Sequence, residues 1–133
     1  ELFLHYCERF YDRQFVTREN VNKGILEKFE EQLNDYFSSE KPQHIGLPTV
    51  AYFAESLNLS ANYFGDLIKR ETGKSAKDYI HEKLIDLAKN RIFDANKTIN
   101  EIAYELGFKY PQHFSRMFKQ ETGHTPNEYR SMN

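Results

Sequence analysis

The sequence predicts an all-α protein: two related helical units joined by a long helix and preceded by two amphipathic helices. Three observations carry this expectation. Apolar residues recur at spacings of three and four along most of the chain, and no useful stretch alternates with period two. Helix-start and helix-stop residues punctuate the second two-thirds at short intervals. One stretch also matches another about fifty residues further on. The 133 residues suffice for one ordinary domain or a small domain with an appended element. A composition of 39% hydrophobic and 29% charged residues is globular rather than disordered. Eleven Phe and nine Tyr with no Trp mean that rings must supply much of the core.

Residues 1–45 read as two helices. Leu2, Tyr6 and Phe10 recur at i+4, with Leu4, Cys7 and Tyr11 widening the stripe. Asp12 to Arg18 is polar, and Thr17 can cap a second run through Val21, Ile25, Phe29, Leu33 and Tyr36/Phe37. Ser38 to Pro48 has linker composition, with two Ser, two Pro and Gly46. Two such helices cannot bury their stripes alone. Residues 1–45 are therefore expected to form a separate segment, for dimerisation or attachment to a sensor domain, ahead of a domain at 46–133.

From Leu47 the helices shorten. Thr49 caps a run through Val50, Phe53, Ala54 and Leu57, and Asn58-Leu59-Ser60 makes a turn. Ser60 caps the next helix, which Gly73 stops. Ser75 opens a long helix from Ala76 to about Phe93. Thr98-x-x-Glu101 reads as a capping box for a helix ending at Gly107. Pro111 suits a first helical position, and Phe114, Met117 and Phe118 lead to a stop at Gly123. A short helix follows Thr125-Pro126.

The self-similarity is the most specific of these features. YFGDLIKRETGKSAKDY at 63–79 aligns at an offset of 50 with HFSRMFKQETGHTPNEY at 113–129, sharing Phe64/Phe114, Lys69/Lys119, Glu71/Glu121, Thr72/Thr122, Gly73/Gly123 and Tyr79/Tyr129. Upstream the offset is 49, pairing Val50/Ile99, Phe53/Ile102, Ala54/Ala103 and Leu57/Leu106. Each unit is helix, tight turn, helix, with a small Ala where the two helices approach. That is the helix-turn-helix layout, whose second helix enters the major groove.

Leu47 to about Arg130 resembles the C-terminal DNA-binding domain of the AraC/XylS family of bacterial transcription regulators. The strongest stretch is INEIAYELGFKYPQHFSRMFKQETGHTPNEYR, Ile99 to Arg130. The Glu-Ile-Ala, Gly-Phe, Phe-Ser-Arg, Phe-Lys and Gly-x-x-Pro-x-x-Tyr-Arg elements of the family signature stand in place. The resemblance implies a cytoplasmic protein that binds double-stranded DNA, with an N-terminal sensor domain beyond this chain, a homodimer and contact with RNA polymerase. The family usually has an Arg where this chain has Leu84, a departure that would remove a backbone contact or an ion pair.

In the second recognition helix, Phe114, Met117 and Phe118 should face the core, leaving Gln112, Ser115, Arg116 and Lys119 outward. Gln112 and Arg116 share a face, and the resemblance assigns both to base readout. Gln can pair with adenine and Arg with guanine in the major groove. In the first unit Asn62 and Asp66 hold the equivalent positions. Asp66 can accept from cytosine but repels phosphates, and Gly65 weakens the helix by about 1 kcal/mol relative to Ala. The first unit should therefore read sequence more weakly. Lys69, Arg70, Lys109, Tyr110, Ser115 and Lys119 are expected at the DNA backbone, with the helix starts at Ser60 and Thr98. Tyr79 and Tyr129 should brace their units as core.

Net charge is −2, which by itself argues against nucleic acid. The distribution is uneven. Residues 1–45 hold six Lys/Arg against nine Asp/Glu, and 46–133 hold twelve against eleven. Gly107 to Gln120 carries Lys109, Arg116 and Lys119 with no carboxylate, so a local basic face remains. A competing expectation is a helical protein-interaction module with little DNA affinity, suggested by Asp66, Leu84 and the acidic balance.

Catalysis finds no support in the sequence. The histidines His5, His44, His81, His113 and His124 lack metal-ligand spacing, and no phosphate-binding glycine loop is present, so no metal or cofactor is expected. Cys7 alone excludes an internal disulfide and a multi-cysteine zinc site, and fits a reducing compartment. No apolar run reaches the roughly 18 residues of a membrane span. Opening at Glu1 without Met or leader, the chain reads as a piece of a longer protein.

Overall fold

A computed structural model describes the backbone from Leu2 to Met132 and the side chains from Asn20 onward. Helices follow one another as α1 (Leu2–Ser38), α2 (Lys41–Ile45), α3 (Val50–Ser56), α4 (Ala61–Thr72), α5 (Ala76–Arg91), α6 (Ile99–Glu105), α7 (Pro111–Thr122) and α8 (Pro126–Ser131). No strand occurs among the described residues, as the absence of period-two patterning predicts.

The two helices expected in residues 1–45 are one. The helix α1 runs through Asp12–Arg18 without interruption. Polarity there is not a stop signal: the stretch contains neither Gly nor Pro, and Arg and Gln are good helix formers. Cys7, the Leu2–Tyr6–Phe10 stripe and the Thr17 side chain lie outside the described side chains. The expected linker also holds structure, the short α2, with Pro42 buried in its first turn.

The C-terminal half of α1 belongs to the same core as the helices after Gly46. Phe29, Leu33, Tyr36 and Phe37 are buried in one cluster with Phe53, Phe64 and Ile68. The Phe29 ring meets Phe53 at 5.3 Å and Phe64 at 5.0 Å, edge to face. This is the arrangement in which the positive edge of one ring faces the negative face of another. The division at Gly46 thus passes through a core rather than between two. Its sequence signal was real, a Pro- and Gly-containing loop, but loops also join helices of one core.

Tyr79 lies over Phe29 at 5.4 Å and donates its hydroxyl hydrogen bond to the Glu30 carboxylate at 2.6 Å. Burial, that hydrogen bond and the charge of Glu82 push the phenol up to about 12. Tyr129, its counterpart, packs on Phe118 at 5.2 Å and Phe93 at 5.5 Å. Both tyrosines brace their units, one against α1 and one against the chain leaving α5.

The linking helix α5 ends at Arg91, two residues short of the expected Phe93. Ile92, buried at its C-cap, and the bend that follows are tied by Arg130. Its guanidinium donates to the Ile92 carbonyl at 2.6 Å, an acceptor that the helix end leaves free, and to the Lys97 carbonyl at 2.8 Å just before α6. At α6 the Thr98 hydroxyl accepts from the Glu101 amide. The reciprocal capping box forms instead at α8, between Thr125 and Glu128.

Candidate nucleic-acid interface

The sequence repeat is also a repeat of hydrogen bonds. In the turns between paired helices, the Leu59 amide donates to Ala54 O at 2.9 Å and the Phe108 amide to Ala103 O at 3.0 Å. Asn58 and Gly107 hold the equivalent left-handed turn positions, with φ of 59° and 103°. After α4 and α7, the Gly73 and Gly123 amides donate to Lys69 O and Lys119 O, both at 2.8 Å. Thr72 and Thr122 hydroxyls donate back to Ile68 O and Phe118 O, both at 2.7 Å. Each unit therefore holds its second helix by the same set of bonds.

On α7 the side chains sort as expected except at Ser115 and Met117, which were expected on opposite faces and are equally intermediate. Phe114 and Phe118 are fully buried and Met117 is half-buried. Gln112, Arg116 and Lys119 are exposed, and Ser115 is half-buried. Tyr110 caps the start of α7 without a side-chain hydrogen bond and is half exposed. Its ring takes the Lys109 ammonium at 5.6 Å, a cation–π contact. The His113 ring also packs edge on against Tyr110, with centroids 5.5 Å apart.

On α4, Phe64, Leu67 and Ile68 are buried, while Asn62, Asp66, Lys69 and Arg70 are exposed. The Ser60 hydroxyl is occupied as N-cap, accepting from the Tyr63 amide at 3.1 Å. Thr98 is likewise engaged with Glu101 at 3.1 Å. The ten remaining candidates divide between the two second helices and the turn before α7, and Thr98 alone opens a first helix.

Leu84 is 1% exposed inside the core. The departure from the family's Arg therefore fills the interior and bares no surface, which removes one support for a protein-only module. Sequence reasoning missed two features beside α7. His113 could have been found from its i,i+3 spacing to Tyr110 across the helix start. A cleft of about 610 Å³, bordered by Gly46, Leu47, Gly107, Tyr110 and Arg116, had no signal, because residues 46 and 107 meet only through the tertiary fold.

Fold and surface together define a double helix-turn-helix domain with one basic recognition helix. A family model described as a helix-turn-helix domain matches residues 53–132. The chain belongs to this family, of the AraC type. It is 31% identical over 83 residues to the uncharacterized HTH-type transcriptional regulator YobQ of Bacillus subtilis (strain 168), covering 62% of this chain and 34% of that protein. The C-terminal domain of AraT, a response regulator from Geobacillus stearothermophilus, superposes with a TM-score of 0.71 at 28% identity, covering 82% of this chain and 85% of that one. The DNA-binding domain of AdpA, solved in complex with a target DNA, shares the fold at 18% identity, with a TM-score of 0.68 over 81% of this chain and 90% of that one. Both structural matches exceed the share of the chain that follows Gly46, so they extend into the segment before it. The chain spans 34%, 11% and 52% of three curated regulators that it matches. No described helix is long and apolar enough to cross a membrane.

Proposed function

We propose that this chain is the DNA-binding part of an AraC-type transcriptional regulator of the bacterial cytoplasm, placing α4 and α7 in major grooves of duplex DNA. The observation that carries the reading is the surface of α7. Gln112, Arg116 and Lys119 are exposed on a helix held from behind by Phe114 and Phe118, and no carboxylate interrupts Gly107 to Gln120. Gln112 and Arg116 read base edges, while Lys109, Tyr110, Ser115 and Lys119 meet sugar and phosphate. Asn62 and Asp66 read weakly, with Lys69 and Arg70 at the backbone; Ser60 and Thr98 place helix starts near phosphate.

The DNA-binding unit begins within α1, whose C-terminal half it shares. The preceding turns of α1 serve attachment to a sensor domain or to a second copy. Titrating the chain onto fluorescent duplex DNA at rising salt tests the function. The logarithm of affinity should fall with the logarithm of salt concentration, with a slope of about −0.9 per phosphate neutralised. Absence of any complex at low salt would refute the reading.

A further inference from the structure

The turns of the two units share their hydrogen bonding, the second being one residue longer, and they differ at the left-handed position. In the first, Asn58 occupies the left-handed position. In the second the position is Gly107, and the structure supplies a reason beyond φ. A Cβ there would lie 2.9 Å from the Gly46 carbonyl carbon and 3.0 Å from its oxygen, so the two backbones touch where a side chain would stand. Gly46 has φ 102° and ψ −161°, a conformation essentially confined to glycine.

Gly46 is itself held from the other side. The Tyr36 hydroxyl donates to its carbonyl at 2.6 Å. Tyr36 is 2% exposed, with its ring edge-on to Phe37, Tyr52 and Phe53. It cannot swing without disturbing the first unit's core. A continuous path thus runs from that core through the Tyr36 hydroxyl and the Gly46 carbonyl to Gly107. Four residues after Gly107 comes Pro111, the first residue of α7. The same segment borders the cleft beside Arg116.

We infer that Tyr36 and Gly46 are positioning residues for the second recognition helix: through the contact with Gly107 they fix the angle of α7 relative to the first unit. They thereby set the spacing at which both recognition helices engage one duplex. The inference rests on the DNA-binding reading above. Neither residue touches DNA in this scheme. A one-base-pair change in spacing moves the second half-site by about 3.4 Å and about a tenth of a turn, which a held α7 resists and a released one follows.

The test uses the full chain and duplexes it selects from a random pool. Affinity is measured for the best duplex, for versions with one base pair added or removed between the two protected segments, and for a duplex keeping only the segment protected by α7. Tyr36→Phe removes the hydroxyl and leaves the ring, so the core stays filled. It should lower the preference for the best spacing by about threefold to tenfold, the worth of one hydrogen bond, and leave affinity for the single-segment duplex unchanged. Gly107→Ala should act in the same direction and more strongly. Should it fail to give a cooperative melt, Tyr36→Phe alone decides. An unchanged spacing preference in Tyr36→Phe overturns the inference, as does an equal loss on every duplex, which would mean a structural role only. A single protected segment in the unmodified chain overturns it while leaving DNA binding intact. No selected duplex at all overturns both.

Discussion

Phe29→Ala should destabilise the first unit's core rather than loosen a separable arm. Phe29 is fully buried, and its ring contacts Phe53, Phe64 and Tyr79 at 5.0–5.4 Å. Truncating a buried Phe to Ala costs about 3–5 kcal/mol in lost transfer energy and residual cavity. The edge-on rings place this site toward the upper half of that range. A domain of this size has about 5–15 kcal/mol of stability in all, so the variant should stand near its threshold. Urea denaturation followed by far-UV circular dichroism and by tyrosine fluorescence measures the loss. Val21→Ala, on the same helix at a half-exposed site (51%), serves as control and should stay within about 0.5 kcal/mol. A chain beginning at Gly46 should lose the first unit's cooperative transition. A loss below about 1 kcal/mol for Phe29→Ala, or a Gly46–Asn133 fragment as stable as the whole, would refute the shared core.

Arg116→Ala should relax preference at one base position and cost about 1–3 kcal/mol of binding, whereas Asp66→Ala should leave affinity unchanged or raise it; equal losses in a binding titration would end the asymmetry between units. Gly73→Ala and Gly123→Ala should cost about the same, roughly 1–2 kcal/mol each, because φ is 78° and 82° and nothing lies within 4 Å of either added Cβ. Thermal melts differing by more than that would mean that the two stops are not equivalent. The Tyr79 phenol, raised to about 12 from its usual 10.0, binds its proton more tightly folded than unfolded. Its stabilisation is therefore complete below pH 10 and lost as pH rises toward 12, and alkaline denaturation of Tyr79→Phe should be less steep in that window.

Most of the fold from Leu47 on was legible because its signals are local. Thr49, Ser60, Ser75, Thr98 and Thr125 each accept from the amide three residues on, as capping residues do. Gly73 and Gly123 end helices in left-handed caps. The outward set on α7 followed from the 3.6-residue period. The N-terminal third was misread where the information is tertiary. Nothing local distinguishes a Phe29 that packs on Phe64 from one awaiting a second copy, because both readings produce the same amphipathic stripe. The Ser38–Pro48 loop carried true breaker residues, and breakers mark where a helix ends, not where a core does. Likewise Leu84 looked like a lost surface contact until its burial placed it inside.

Once α1 is counted, the duplication is larger than the helix-turn-helix. Phe29 of α1 packs on Phe53 of α3 and Phe64 of α4, and Ile80, Leu84 and Ala88 of α5 are buried in the same cluster, which also holds Ile102, Phe114 and Phe118 of the second unit. The chain is then two three-helix units, α1-α3-α4 and α5-α6-α7, in which a leading helix supports each turn and recognition helix. The long helix α5 does double duty: its start closes the first unit through Ser75, Ala76 and Tyr79, and its body opens the second. The helix α1 has no such predecessor within the chain. Arg91 nonetheless donates to the Phe37 carbonyl at 3.0 Å, and Tyr36 reaches Gly46 at 2.6 Å, so α1 is tied to both units. A rotation or displacement imposed on its N-terminal turns cannot be absorbed by a linker, because the helix continues unbroken into the Phe29–Phe64 contact. Motion of α1 reaches the core behind the first recognition helix through the Phe29–Phe64 contact, and the second unit through the Gly46–Gly107 contact, through α2 packed on α6, and through α5.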